Sequence, residues 1–153
     1  MAELAAFCTG TWATSAETDA GSGSWEASAC RCLQDLEILE PDWLALLKQW
    51  EQAPELPGFA PQDPEKLERI AVYFAFRYLL KAVNDGDLLG RAQFCALGVL
   101  VTDRLSRFVG LPEALRLFSR EIEHNEENLG TLLEQFWQTE GLSLSALLAA
   151  FGG

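Results

Sequence analysis

Apolar side chains recur at helical spacing through most of this chain. From Cys32 onward, Leu-rich segments alternate with short stretches that contain Pro and Gly. No segment shows the period-two alternation of β-branched residues that is typical of strands. The pattern therefore predicts an all-α fold, an irregular helical bundle of about five to seven helices.

A helical hairpin is predicted at the centre of this bundle. Its first helix covers 64–83, begins with Pro64 in the first turn, and is apolar on nearly every side, which is typical of a buried helix. In the turn that follows, we expect Gly86 to adopt a left-handed conformation and Asp87 to cap the next helix. That second helix covers 88–108 and is again apolar on most faces. The two helices are therefore predicted to pack antiparallel against each other.

Shorter helices are predicted on both sides of the hairpin. One helix, or a pair of short ones, covers 33–51, with Pro41 in a first-turn position. After the hairpin, a helix is predicted from Pro112 to about Glu123, followed by a break at which Asn125 is expected to cap the next helix. The helix that Asn125 caps is expected to end near residue 139. A last helix is expected to cover 143–151.

The first thirty residues differ from the rest of the chain. Residues 1–30 are rich in Ala, Ser, Thr and Gly and show no helical or strand period, which predicts a poorly ordered tail. We expect that residues 1 to about 28 can be removed. Phe7, Trp12 and Trp25 are large for such a tail, and they indicate either docking onto the body or separation from a missing neighbour. Residues 31–153 are predicted to form a single helical domain, as the length of 153 residues allows.

Charge excludes several classes of partner. The chain has 23 acidic and 11 basic residues, and its net charge of −12 repels polyphosphates and anionic lipids. We therefore expect no nucleic-acid partner.

No uncharged apolar stretch is long enough to span a bilayer, and the N-terminus lacks the pattern of a secretory signal. These features predict no membrane association and a cytoplasmic location, where cysteines are free thiols or metal ligands more often than disulfides.

The cysteines and the histidine are weak candidates for chemistry. Cys8, Cys30 and Cys32 could offer three thiolates to zinc or to an iron-sulfur cluster. However, Cys30 and Cys32 are separated by a single residue, and the sequence has neither a second well-spaced cysteine pair nor a nearby His, which favours free thiols. Cys95 is interpreted as a small core residue. His124 is surrounded by glutamates, which fits a capping or paired residue better than a general base.

Two basic residues lie on a helix that is predicted to be buried. Arg77 and Lys81 are one turn apart, and an unpaired buried charge costs several kcal/mol. They could form a site for an anionic group, but a structural network of ion pairs is the favoured interpretation. We expect Arg77 to be buried and paired with an acidic residue of 119–127. The candidate partners of the two basic residues are Asp85, Asp87, Glu121 and Glu123.

Two polar runs carry a resemblance to a known family. The run FRYLLKAVNDGD at 76–87 and the run SREIEHNEEN at 119–128 hold polar residues that helix periodicity does not demand. Together with the segment LQDLEILEPDW at 33–43, these runs resemble the C-terminal half of the flagellin lysine-N-methylase family. The resemblance covers about residues 33–151. That resemblance implies methyl transfer from S-adenosylmethionine to lysine side chains of a protein, which is flagellin for the enzymes that give the family its name. The candidate site residues within the two runs are Arg77, Lys81, Asp85, Asp87, Glu121, Glu123 and Asn128.

The N-terminal region departs from that family. The family has a cysteine-rich N-terminal half that is thought to hold an iron-sulfur cluster, and residues 1–29 supply only Cys8 in its place. We therefore expect a truncated or divergent member that lacks the cluster. Its expected partner is a protein substrate or the missing cysteine-rich half. Two functions remain open, namely lysine methyl transfer with this chain as the helical part, and a noncatalytic helical interaction module.

Overall fold

The computed structural model describes residues 25–52, 64–81, 84 and 86–152. These ranges contain seven α-helices and no β-strand, which confirms the predicted all-α fold. None of the described helices is long and apolar enough to cross a membrane. Short turns of other helical types cover Leu79–Lys81 and Glu140–Leu142 (3₁₀) and Ser119–Glu123 (π). The helices are α1 (Trp25–Asp35), α2 (Pro41–Gln52), α3 (Pro64–Tyr78), α4 (Leu88–Val109), α5 (Leu111–Phe118), α6 (Glu126–Gln138) and α7 (Leu144–Gly152).

Local sequence signals set several helix boundaries as predicted. Pro41 begins α2 and Pro64 begins α3, because proline lacks the N–H that a first turn leaves unpaired. In the hairpin turn, Gly86 has a φ of +73°, a conformation that residues with a side chain rarely adopt. The side chain of Asp87 accepts the N–H of Gly90 at 2.9 Å and so caps α4.

The centre of the bundle is α4. This 22-residue helix packs against α2, α3, α5, α6 and α7, and its side chains are buried on every side. An aromatic cluster joins it to its neighbours, with ring centroids 6.0 Å apart for Phe74 and Phe94 and 5.8 Å apart for Phe74 and Phe118. At Gly98, an added Cβ would lie 2.9 Å from Cζ of Phe74, so the missing side chain allows α3 and α4 to approach closely.

The first hairpin helix packs against α4 as predicted, but the prediction that it is buried on nearly every side was wrong. Only one face of α3, which includes Phe74 and Tyr78, is buried. Tyr73 is 45% exposed and Phe76 is 60% exposed, and Leu80 in the following 3₁₀ turn is 62% exposed. Helical periodicity shows that a helix has apolar faces, but it does not show which of them a neighbour covers. The described helical segment ends at residue 81, and residues 82–83 of the predicted helix lie outside the described ranges.

The predicted boundary of the N-terminal tail was also wrong. Helix α1 begins at Trp25 and buries Ala29 and Cys30, so residues 25–30 belong to the helical body. Their small side chains gave no strong apolar period, although small residues suit close helix packing. The ring centroid of Trp25 lies 5.8 Å from that of Trp50 in α2. Residues 1–24, which include Phe7, Cys8 and Trp12, lie outside the described ranges.

Candidate functional site

A π-helical turn after α5 directs two glutamates to different parts of the protein. The turn covers Ser119–Glu123, and Asn125 after it caps α6 by accepting the N–H of Asn128 at 3.1 Å. Two residues apart in a helical backbone, Glu121 and Glu123 lie on nearly opposite sides. Glu121 extends toward the connection between α1 and α2, and Glu123 extends toward α3. Single π turns are frequent at functional sites, which makes this segment the natural starting point.

Glu121 is fully buried and is bound to backbone groups. Its carboxylate accepts the N–H of Leu39 at 2.9 Å and the N–H of Glu40 at 2.7 Å, just before α2 begins. A negative charge at this position also interacts favourably with the N-terminal end of the α2 dipole. Glu121 therefore fixes the start of α2.

Asn128 holds the same connection from α6. Its Nδ2 donates to the carbonyl oxygens of Glu37 at 2.8 Å and Glu121 at 2.9 Å, and its Oδ1 accepts the N–H of Glu37 at 3.0 Å. The side chain is buried and all of these bonds go to the backbone. Both Glu121 and Asn128, which were candidate site residues, thus have structural roles that explain why the sequence carries them.

Glu123 gathers three polar side chains of α3. Its Oε1 accepts hydrogen bonds from the hydroxyls of Tyr78 at 2.8 Å and Tyr73 at 2.9 Å, and it lies 3.7 Å from Nε of Arg77. The same Nε donates to the Tyr78 hydroxyl at 3.1 Å. We call these four residues the Glu123 cluster. It joins the first polar run of the sequence to the second.

Arg77 pairs as predicted but is not buried. Its side chain is 40% exposed, whereas that of Glu123 is only 4% exposed. The long side chain of Arg77 runs along the edge of α3 and keeps its charge in water. Solvent screening therefore lowers the expected cost of Arg77→Ala from the several kcal/mol of a buried ion pair to about 1 kcal/mol or less.

The cluster fixes the protonation of its own members. Burial, followed by the hydrogen bond to Glu123, raises the pKa of Tyr78, and the same causes raise the pKa of Tyr73. The hydrogen bond to Tyr78 raises the pKa of Arg77 further. Near neutral pH, both phenols are thus donors and the guanidinium is charged. Lys81 Nζ lies 5.4 Å from the centre of the Tyr78 ring, at the distance of a cation–π contact.

Among the other predicted residues, Lys81 contacts this cluster through the Tyr78 ring, and the rest lie apart from it. Asp87 caps α4, and Asp85 lies outside the described ranges. Lys81 is exposed at the end of the 3₁₀ turn. His124 is exposed at the end of the π turn, where its backbone N–H donates to the carbonyl oxygen of Ser119 at 2.9 Å. The structure therefore brings together Arg77 and Glu123 from the predicted set and adds two tyrosines.

The two tyrosines were missed because of their apolar character. Tyr73 and Tyr78 fit the helical period as large hydrophobic residues, and their hydroxyls carry no signal in such a pattern. The available signal was their position near Arg77: Tyr78 lies next to it in the first polar run, and Tyr73 lies one helical turn before it. A carboxylate that binds Arg77 from outside the helix is within reach of both phenols.

Cys30 and Cys32 are buried free thiols, and Cys95 is buried as well. Burial raises the pKa of Cys30 to about 12 and also raises the pKa of Cys32, whose Sγ lies 3.8 Å from Oγ1 of Thr139. Metal and cluster ligation requires the thiolate, which this environment disfavours. In the part of the chain that the structure describes, no group of three or more His, Cys, Asp or Glu residues is placed to hold a metal ion. Cys8, the third cysteine of the predicted set, lies outside the described residues.

In the Glu123 cluster, polar residues from distant parts of the chain meet close to the surface. Tyr78 and Glu123 are 45 positions apart in the sequence, and the hydrogen bond between them joins α3 to the π turn. Comparison with known proteins found no match to this chain among protein-family models, curated proteins or solved structures.

Proposed function

We propose that this chain is the helical part of a lysine-N-methylase-like protein and acts in methyl transfer from S-adenosylmethionine to protein lysine. The observation that carries the proposal is the Glu123 cluster. It joins the two polar runs on which the family resemblance rests, and it does so beside the exposed ring of Tyr73. The resemblance and the geometry thus point to the same residues.

The chemistry of the cluster suits the approach of a lysine side chain. An ammonium group is attracted to aromatic faces and to carboxylates, and the Tyr73 ring is exposed next to the Glu123 carboxylate. Glu123 itself is almost fully buried and is paired with Arg77, so the exposed Tyr73 ring is the group that an arriving ammonium meets, and Glu123 positions that ring through its hydroxyl. The net charge of −12 attracts a cationic partner over a longer range.

The methyl donor needs more than this cluster offers. S-adenosylmethionine supplies the methyl group when it is bound, and its sulfonium is stabilised by open acceptor groups. The side chain of Glu123 is almost fully buried and already accepts two hydrogen bonds, so it does not fit that role. We propose that a cysteine-rich half like that of the family completes the donor site, and it is supplied as a separate polypeptide in the test below.

Methyl transfer to flagellin, followed by mass spectrometry, tests this proposal. The full chain is incubated with S-adenosylmethionine and flagellin, either alone or with the cysteine-rich half of a family member. We expect methylated lysine in the mixture and none with either polypeptide alone. Absence of methylation in a mixture whose two polypeptides co-purify would refute the proposal. Transfer by this chain alone would refute the division of the site between two polypeptides.

A second candidate function is a noncatalytic interaction module. The exposure of Tyr73, Phe76 and Leu80 on one side of α3 favours it, because adjacent exposed apolar side chains mark surfaces that bind partners. Under this alternative, the chain still binds a partner protein, but the mixture described above transfers no methyl group.

A further inference from the structure

The outward face of α6 carries an exposed tryptophan. Trp137 is 72% exposed, the largest value among the large apolar side chains that the structure describes, whereas Leu132 and Phe136 of the same helix are buried. Three more residues precede Trp137 at alternating spacings of three and four, which places all four on one side of a helix. All of them are exposed. We call this side the α6 face, and it consists of Glu127, Gly130, Glu134 and Trp137.

The carboxylates of the α6 face have no counter-charge in the described part of the chain. Neither Glu127 nor Glu134 forms an ion pair with a described residue. Glu126 and Glu140, at the two ends of the same helix, are also exposed and form no ion pair there. From residue 121 to the end, the sequence has six glutamates and no Lys or Arg. The exposed indole of Trp137 therefore lies in a region of one charge sign.

A gap in the α6 face lies between these side chains. Gly130 is in the middle of the helix, and a Cβ added to it would have nothing within 4 Å. Glycine is unfavourable in a helix interior, but it leaves the backbone open to close approach by another chain. Glu127 and Glu134 lie one turn away on either side of Gly130, and Trp137 follows Glu134 by one turn. The gap is therefore bordered by two carboxylates and an aromatic ring.

We propose that the α6 face binds a basic segment of a partner polypeptide. An Arg or Lys side chain of that segment lies in the gap at Gly130, with its cation between the Glu134 carboxylate and the Trp137 ring. Indole is the aromatic group that attracts cations most strongly, and a carboxylate adds a charge-assisted hydrogen bond. Tryptophan is also enriched among the residues that dominate the binding energy of protein interfaces.

The charge of the α6 face favours this occupant over the alternatives. Nucleic acids and anionic membranes carry the same sign as the face and are repelled. In a two-fold dimer through this face, the carboxylates of one copy would lie against those of the other. An apolar helix would cover Glu127 and Glu134 without supplying a counter-charge, which is unfavourable. A basic polypeptide supplies the charge that each of these partners lacks.

Two synthetic peptides and the full-length chain test the inference. The first peptide has Arg at every third position between Gly and Ser, and its twin has Gln in place of each Arg. Fluorescence anisotropy measures the binding of each. We expect the Arg peptide to bind and the Gln peptide to bind at least about tenfold more weakly, with added salt weakening the binding of the Arg peptide.

Variants of the chain locate the binding surface. Glu134→Gln and Trp137→Ala should each weaken binding of the Arg peptide about tenfold, the effect of losing one strong interface contact. The matched controls are Glu68→Gln and Leu88→Ala, which remove an exposed carboxylate from α3 and an exposed apolar side chain from α4. We expect these controls to leave binding nearly unchanged. Circular dichroism of each variant verifies that the helices remain folded.

A further variant separates binding from stability. Gly130→Leu fills the gap with a side chain that favours the helix, so it should raise the thermal midpoint of unfolding. The same variant should weaken binding of the Arg peptide about tenfold, because the cation loses its place beside Glu134. A loss of binding in a more stable protein cannot come from unfolding of α6.

Three results would overturn the inference. They are equal binding, or no binding, of the two peptides; equal weakening by Glu134→Gln and Glu68→Gln; and a dimer of the chain that Trp137→Ala dissociates in light scattering. The inference is independent of methyl transfer, since the experiment uses neither S-adenosylmethionine nor a cysteine-rich half. Its failure is therefore distinguishable from failure of the proposed function.

Discussion

Replacing Asn128 with alanine removes three hydrogen bonds that fix the connection between α1 and α2. The bond to the carbonyl of Glu121 is buried, and the loss of a buried partner costs about 1–3 kcal/mol. The two bonds to Glu37 are partly buried, and each contributes about 0.5–1.5 kcal/mol. We therefore expect Asn128→Ala to lower the free energy of unfolding by about 2–6 kcal/mol, a large share of the 5–15 kcal/mol of an ordinary domain.

Urea denaturation followed by tryptophan fluorescence measures this change, because Trp43 and Trp50 are buried and report loss of the core. The midpoint should fall while the m-value stays the same. Gln49→Ala, which truncates an exposed amide on α2, is the matched control and should change stability by less than about 0.5 kcal/mol. Asn128→Asp should destabilise at least as much as Asn128→Ala, since it sets a carboxylate oxygen against two carbonyl oxygens. A loss below about 1 kcal/mol for Asn128→Ala would refute the structural role of this residue.

Three further predictions concern packing and titration. Gly98→Ala should destabilise the protein by about 1–3 kcal/mol, because the added Cβ overpacks against Phe74. Gly130→Ala should stabilise it by about 0.5–1 kcal/mol, because open space surrounds Gly130 and alanine favours the helix. Thermal unfolding compares the two variants. Because the folded-state pKa of Tyr78 is raised, its contribution to stability should be complete below the ordinary pKa of 10.0 and decrease as pH rises above it, and Tyr78→Phe should flatten this alkaline dependence of the urea midpoint. Cys30 should resist iodoacetamide at neutral pH until the protein is unfolded, as peptide mapping would show.

The sequence predicted those parts of the fold that local chemistry controls. Pro41 and Pro64 start helices, Gly86 turns the chain, and Asp87 and Asn125 cap helices through their own side chains. Each of these effects acts within a few residues, so the signal is present in the sequence itself. The resulting helix boundaries agree with the structure to within a few residues, apart from the start of α1.

Packing between helices was less predictable. Periodicity showed that α3 has apolar residues on many sides, but only the neighbours of α3 decide that Phe74 is buried and Phe76 is exposed. The π turn that carries Glu121 and Glu123 was not marked by any residue pattern. The sequence therefore identified Arg77 and an acidic residue of 119–127 as partners, and the structure was needed to show that their contact lies at the surface.

The central claim is that the Glu123 cluster is the functional site, and the rate of flagellin methylation by the Glu123→Gln variant tests it most directly. The assay contains S-adenosylmethionine and the cysteine-rich half, and the matched control is Glu113→Gln, whose carboxylate pairs with Arg116 at the surface of α5. We predict that Glu123→Gln lowers the rate at least about tenfold, a barrier change of about 1.4 kcal/mol, while Glu113→Gln keeps the rate of the original chain. Equal rates for the two variants, with both folded, would contradict the claim.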